Sequence, residues 1–303
     1  MQNVLVTGGA GFIGSHLVDA LVEREYKVFI IDDLSTGKEE NVNSRAFLYK
    51  LSVQDDGVGG IFKKVKFSHV FHLAAQADVR KSCGDPSYDA KSNIMGALNI
   101  LSLCRSYGVK KFIFSSSGGV IYGDVKKPAR EEEPPSPVSP YGISKLAGEL
   151  YVKFFRAYFP YTILRYSNVY GERQDPFGEA GVVSIFGNNM LDGKPCTLYG
   201  YGKPVRDYVY VEDVVRANML SLQRGDNETM NIGTGKPTSV QQLYSMLKEI
   251  VGDNIPPVHK PLRDGEINSN YLCPDKAKDV LGWQPSVPMK GGLSRVVKWL
   301  KTV

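Results

Sequence analysis

The stretch VLVTGGAGFIG, residues 4–14, carries a short β-branched run into three glycines spaced three apart, Gly8, Gly11 and Gly14, and from there into a helical stretch beginning near Phe12. That order of strand, turn and helix suits a phosphate. Glycine permits the tight turn and the close approach of backbone to a pyrophosphate, and the new helix offers unpaired N–H groups at the positive end of its dipole. The spacing is G-x-x-G-x-x-G rather than the commoner G-x-G-x-x-G, so the turn by itself decides little. Asp32 strengthens it, at the end of the next β-branched run in IIDDLSTG (30–37). An acid at that distance binds the hydroxyl pair of a ribose and repels a 2′-phosphate, which predicts NAD rather than NADP.

Working outward, the runs KVFIID, AFLYKLSV, HVFHLAA and KFIFSSS follow in turn, with helical stretches between several of them. Such alternation implies a parallel sheet covered on both faces. The fold class expected is α/β: a Rossmann-type doubly wound parallel sheet with a smaller mixed α/β substrate-binding lobe. The sheet domain is expected over 1–165, with the chain returning to it at roughly 206–236, and the lobe over 166–205 and 237–303. REEEPPSPVSP (130–140) reads as a loop, because its prolines forbid a ladder or a helix interior.

The 303 residues carry a formal charge of +5. It is scattered, with no basic run or aromatic interleaving, which argues against a nucleic-acid partner. The four cysteines and four histidines have no metal-site spacing and no C-x-x-C pair, so neither a metal nor a disulfide framework is expected. No apolar run is long enough to cross a bilayer. MQNVLVTGG enters a strand at once, which leaves no room for a signal peptide and predicts a cytoplasmic protein.

SPYGISK (139–145) sets Tyr141 four residues before Lys145. The same spacing occurs at Tyr107/Lys111, Tyr122/Lys126, Tyr199/Lys203 and Tyr244/Lys248, so position must choose among them. Ser139 is a good N-cap and Pro140 suits the first helical position, which puts Tyr141 and Lys145 one turn apart on one helix face. This pair alone follows a strand ending in serines, in the half that holds the glycine turn.

These residues, with TGGAGFIGSH, DDLS, FHLAAQ, FIFSSS, RYSNVYG, VRDYVYVEDV and NIGTG in order, resemble the extended short-chain dehydrogenase/reductases, and most closely the UDP-glucose 4-epimerase family. The resemblance spans essentially the whole chain. It implies an isomerase of galactose metabolism that takes hydride from the sugar 4-position and returns it to the other face of a 4-keto intermediate. NAD would stay tightly bound and be regenerated each turnover. The catalytic set it implies is Ser117, Tyr141 and Lys145, with Ser116 an alternative to Ser117. The chemistry is sound: an unperturbed tyrosine, with a pKa near ~10, must fall about three units, roughly 4 kcal/mol, to act as a base at neutral pH. A lysine ammonium and the positive nicotinamide both favour the phenolate. Beside the glycines and Asp32, the resemblance implies contacts to NAD from Phe12 and Ile13, from Asp33, Ser35, Thr36 and Gly37, from Leu73, Ala74 and Ala75, and from Asn93 and Tyr166, as well as Tyr141 and Lys145.

On the substrate side the resemblance gives Arg206 and Arg263 to the diphosphate, Asn168 to a phosphate contact and Tyr199 to stacking on the base. The forked guanidinium suits phosphate better than lysine does. Gly118 and Gly119 stand where dehydratases carry an Asp-Glu pair, which favours simple epimerisation. Asn270 matches a pocket position that is often a bulky Tyr, and a smaller side chain there admits an N-acetyl sugar. The helices at about 92–107 and 141–158 are apolar nearly all round, and the family pairs such helices into a homodimer. Rival readings are an epimerase of UDP-N-acetylhexosamine or UDP-uronate, an NAD-sensing binding protein, and a small-carbonyl reductase.

Overall fold

In the computed structural model, which describes residues 2–177, 181–252, 254–263 and 266–303, successive residues of each central strand point into two different cores. The strands are β1 (Asn3–Thr7), β2 (Lys27–Asp32), β3 (Phe47–Lys50), β4 (His69–His72), β5 (Lys111–Ser117), β6 (Tyr161–Tyr166), β7 (Asn168–Tyr170), β8 (Thr197–Tyr199), β9 (Val205–Arg206), β10 (Tyr208–Tyr210), β11 (Glu228–Ile232), β12 (Thr238–Ser239), β13 (Val258–Lys260) and β14 (Ser269–Asn270). The helices are α1 (Phe12–Glu23), α2 (Gly57–Lys64), α3 (Val79–Gly84), α4 (Pro86–Ala90), α5 (Gly96–Ser106), α6 (Gly118–Ile121), α7 (Pro140–Phe154), α8 (Val182–Leu191), α9 (Val211–Leu220), α10 (Val240–Val251), α11 (Asp275–Leu281) and α12 (Met289–Leu300). A π turn, Lys91–Met95, joins α4 to α5.

Seven strands form one parallel sheet in the order β11-β6-β5-β4-β1-β2-β3. Val4, Val6, Val28, Ile30, Phe71, Ile113 and Leu164 face one layer, where α1 and α9 bring Leu17, Leu21, Val214 and Ala217. Leu5, Phe29, Ile31, Val70, Phe112, Phe114 and Ile163 face the other, against Val58, Phe62, Ile100, Leu101 and Val152 from α2, α5 and α7. Burial on both faces is why these strands read as continuous apolar runs. The doubly wound Rossmann-type sheet expected from the sequence is the one observed. Between β1 and β4 the strand order reverses, and their carboxyl ends open the crevice in which such sheets bind ligands.

RYSNVYG does not continue as one strand. β6 ends at Tyr166, Ser167 N–H donates to Ile232 O at 2.9 Å, and β7 leaves to pair in parallel with β10. AFLYKLSV is strand only over Phe47–Lys50, because Leu51 N–H turns back to Asp32 O and Tyr49 O. A third core lies outside the sheet, where Phe186, Leu243, Leu247, Val296 and Leu300 of α8, α10 and α12 meet Tyr170, Leu198 and Tyr210. The tail divides between cores: Ala277, Leu281 and Trp283 pack with the β1/α1 layer, not with α8 and α10. Among the described residues no helix is long and apolar enough to cross a membrane, and no three His, Cys, Asp or Glu cluster as for a metal.

Candidate active site

The turn after β1 is built for close approach. Gly8 has φ +72°, and a Cβ there would sit 2.7 Å from Ala74 N in the loop that follows β4. A Cβ on Gly14 would lie 2.0 Å from Gly8 O. Only glycine allows α1 to start so near the strand that feeds it. No side chain caps α1 at Gly11, which leaves its first-turn N–H groups, those of Phe12 and Ile13 among them, without a capping side chain. Across it, Ala74 N–H donates to Thr7 Oγ1 at 3.2 Å, and Thr7 Oγ1 lies 2.9 Å from His72 Nδ1. These bonds hold the Leu73–Ala75 segment against the glycine turn. Burial holds the His72 pKa down at about 3, so the ring is neutral, and it stacks on Phe112 and Phe114.

Asp32 closes the opposite wall. Its Oδ2 accepts from Ala10 N–H and its Oδ1 from Leu34 N–H, each at 2.9 Å. Burial raises its pKa and the two backbone donors oppose that shift. The carboxylate thus braces the glycine turn, with one lone pair per oxygen still free for a hydroxyl. Beside it Asp33 Oδ1 accepts from the N–H and Oγ of Ser35, which shapes the turn through Thr36 to Gly37. Gly37 is packed so closely that a Cβ would sit 2.8 Å from Asp32 Oδ1. The arrangement fits a dinucleotide: open N–H groups at a helix start, backbone room at two glycines, and an acid at the next strand end.

The catalytic candidates meet at the carboxyl end of β5. Ser139 caps α7 by accepting from Gly142 N–H at 3.2 Å, as its sequence position predicts, so Tyr141 and Lys145 share a helix face. Ser117 lies beside the Tyr141 phenol and works against the rise of its pKa. Ser116 points the other way and donates to Glu149 Oε1 at 2.6 Å. Glu149 is in turn held by Arg165, whose Nε and Nη2 donate to its two carboxylate oxygens at 2.8 and 2.7 Å. Ser116 therefore belongs to a buried ionic network, and Ser117 faces the cleft.

Lys145 Nζ donates to Ser115 O at 2.8 Å and stands 5.8 Å from the centre of the Tyr141 ring. Burial lowers its pKa to about 8, against the opposing charges of Asp89 and Glu149. The phenol of Tyr141 is pushed well above the ordinary tyrosine value by burial and by Asp89, and Ser117 offsets only part of that shift. Lys145 is tied to a backbone carbonyl, and burial and Asp89 favour the protonated phenol, so of the two positive charges expected from the sequence the nicotinamide's is still needed to favour the phenolate.

The π turn holds Asn93 in a clasp. Asn93 Oδ1 accepts from Gln76 N–H at 2.8 Å, and its Nδ2 donates to Gln76 O and to Asp89 Oδ1, both at 2.9 Å. Tyr166 is buried at the end of β6, with its hydroxyl against the Asn218 amide on α9. Asp89, Ser144 and Gln76 were not legible as site residues. The available signal was the four-residue spacing of Asp89 and Asn93, which shares a helix face, and Ser144 standing next to Lys145.

A track of the residues expected to meet a substrate leads away from Ser117. A Cβ on Gly119 would lie 3.6 Å from Asn168 Oδ1 and 3.8 Å from Ser117 Oγ, so Asn168 sits close to the Ser117 hydroxyl. Asn270 Nδ2 donates to Gly123 O at 3.0 Å and Gly118 O at 3.3 Å, bracing the loop after β5. Asn270 pairs in register with Arg206, whose Nη2 donates to Ile267 O at 2.7 Å. Further along, Arg263 lays its guanidinium 3.5 Å from the centre of the Tyr199 ring and pairs with Glu266 at 2.7 Å. Buried Asn168 Oδ1, Asn270 Oδ1 and Tyr208 Oη find no hydrogen-bond partner among the described residues. Unpaired buried polar atoms are costly, and a row of them along a track fits a polar ligand.

The profile of the NAD-dependent epimerase/dehydratase family matches residues 4–233. A putative UDP-glucose 4-epimerase of Methanocaldococcus jannaschii is 45% identical over 98% of each chain. The crystal structure of a Thermotoga maritima UDP-glucose 4-epimerase with UDP-glucose superposes with a TM-score of 0.98 at 53% identity, covering 99% of both chains. A Thermus thermophilus UDP-glucose 4-epimerase in complex with NAD gives 0.94 at 42% identity, again over 99% of both.

Proposed function

Because the chain belongs to the NAD-dependent epimerase/dehydratase family, we propose that it is a UDP-sugar 4-epimerase whose sugars are UDP-glucose and UDP-galactose. The observation that carries this reading is the seat of Ser117, Tyr141 and Lys145 at the carboxyl end of β5, next to the Gly8–Gly14 turn and opposite a row of unpaired polar atoms. NAD, when bound, supplies the acceptor of the hydrogen that leaves the sugar's C4 and the donor that returns it. The α1 N–H groups and the glycine turn hold its diphosphate, Asp32 its adenosine ribose, and the Leu73–Ala75 segment and Lys145 the far end. Tyr141, as phenolate, takes the proton of the 4-hydroxyl and later gives it back to the same oxygen. Ser117 holds that oxygen by a hydrogen bond, and Lys145, fixed by Ser115 O, keeps a positive charge beside the pair.

Asn168 supplies an amide to the substrate near Ser117. Arg263 and Arg206 meet the diphosphate, for which Arg263 gives up Glu266, and Tyr199 stacks on the base. Gly118 and Gly119 place no acid over the sugar, so nothing there protonates a leaving hydroxyl, and the ketone intermediate is simply reduced again.

Two copies pair through α5 and α7. The support is an uncovered stripe on α7, in which Ile143, Leu150 and Phe154 are exposed, continued past the helix end by exposed Tyr158 and flanked by exposed Met95.

Proton NMR of UDP-galactose incubated with the purified protein, with no NAD added, tests the reading. Growth of the UDP-glucose anomeric signal is expected. Its absence, with or without added NAD, leaves an NAD-binding protein without this activity. Asn270 Oδ1, buried and unpartnered, favours an amide donor in the sugar pocket, and this supports UDP-N-acetyl sugars as a second substrate pair. Turnover of UDP-galactose with none of UDP-GalNAc removes that extension.

A further inference from the structure

Asp89 on α4 is fully buried, yet it has no part in the chemistry above. Its Oδ2 accepts from Ser144 Oγ at 2.6 Å, and Ser144 is the residue before Lys145 on α7. Its Oδ1 accepts from Asn93 Nδ2 at 2.9 Å and from Gln76 Nε2 at 3.1 Å. Gln76 ends the Leu73–Gln76 segment on the cofactor side of the crevice, and its own backbone is clasped by Asn93. One carboxylate thus ties together the catalytic helix, the π turn and the cofactor-side loop. A π turn inside a helix is itself a frequent mark of a functional site.

We propose that Asp89 is a positioning residue, which clamps the helix of Tyr141 and Lys145 to the cofactor-side loop and sets one fixed negative charge beside that pair. This rests on the epimerase reading and adds the control of its base. The other charged groups near Tyr141 leave this task to Asp89. Lys145 and Glu149 lie on the same helix, and Glu149 is bound to Arg165 and Ser116. His72 on β4 is neutral. On α3, Asp78 caps its own helix and Arg80 and Lys81 are exposed, as is Lys91 in the π turn. Burial and Asp89 both favour the phenol at Tyr141, so the charge of the nicotinamide decides its state. An oxidised, positive ring favours the phenolate that must take a proton. A reduced, neutral ring leaves Asp89 dominant and favours the phenol that must give it back.

Tyrosine 13Cζ NMR of the cofactor-loaded protein reads this directly, with the Tyr141 signal assigned by its loss in Tyr141→Phe. In the reduced wild-type holoenzyme the Tyr141 midpoint is expected above the ordinary value near ~10, and lower in the oxidised form. Asp89→Asn, which keeps the shape and removes the charge, is expected to lower the midpoint in both forms by about one pH unit or more, a tenfold change in ionisation. A midpoint that does not move in an Asp89→Asn protein of wild-type melting temperature and NAD content overturns the proposal. If that variant does not fold, the wild type decides. A Tyr141 phenolate already present at about pH 8 in the reduced holoenzyme leaves nothing for Asp89 to hold and overturns it too. The readout needs no turnover. A protein that shifts as expected but epimerises no UDP-sugar fails the functional reading alone, and one that epimerises with an unmoved midpoint fails only here.

Discussion

Ser116 and Ser117 are adjacent, chemically identical and oppositely employed. Along a strand successive side chains point to opposite faces, so only one of the two can reach Tyr141. Ser117→Ala is expected to lower kcat by about ten- to a hundredfold with the melting temperature unchanged, since it removes a bond to the reacting oxygen. Ser116→Ala is expected to keep most activity and to lose about 1–3 kcal/mol of stability, because Glu149 loses a buried donor. Rate assays and chemical denaturation of the two variants check this, and the reverse pattern would exchange the two roles. The Tyr-Lys pair was legible because a cap and a proline fixed its helix. The choice of serine was not, because the face toward which a strand residue points depends on where the neighbouring helices pack.

At the level of elements, α7 serves two masters. Its inner face carries Tyr141 and Lys145 and buries Val152 against the sheet. Its outer face leaves Leu150 60% and Phe154 68% exposed, an apolar stripe that none of the described residues covers. The sequence already showed a helix apolar all round, but it could not say whether the second lobe lay over it; the lobe packs elsewhere, on α8, α10 and α12. Phe154→Glu is expected to turn a dimer into a monomer that still retains NAD. Light scattering with absorbance of the bound cofactor measures both, and a variant that stays dimeric removes α7 from the interface.

For the whole molecule, the sheet's stability is tied to acid through His72. Its pKa is about 3 in the folded chain against an ordinary 6.5, so below pH 6.5 the unfolded chain binds a proton that the folded chain refuses. Stability contributed by the neutral ring is therefore complete above about pH 6.5 and declines toward pH 3, by at most about 1.4 kcal/mol per pH unit. His72→Gln is expected to flatten the pH dependence of unfolding between pH 4 and 6.5 relative to wild type. Parallel slopes in urea titrations would show that His72 does not set it. Local signals determined much of this protein by themselves. Strand–helix alternation fixed the doubly wound sheet, glycine spacing with Asp32 fixed the dinucleotide turn, and the Ser139 cap fixed the Tyr141–Lys145 helix, because each acts over a few residues of chain. The tertiary structure decided the rest: which serine meets Tyr141, that Lys145 is bound to Ser115 O, and that Asp89, 52 residues before Tyr141, sits beside it. Burial and charge act through space, and the separations that matter to them are set only when the sheet and its two layers have closed.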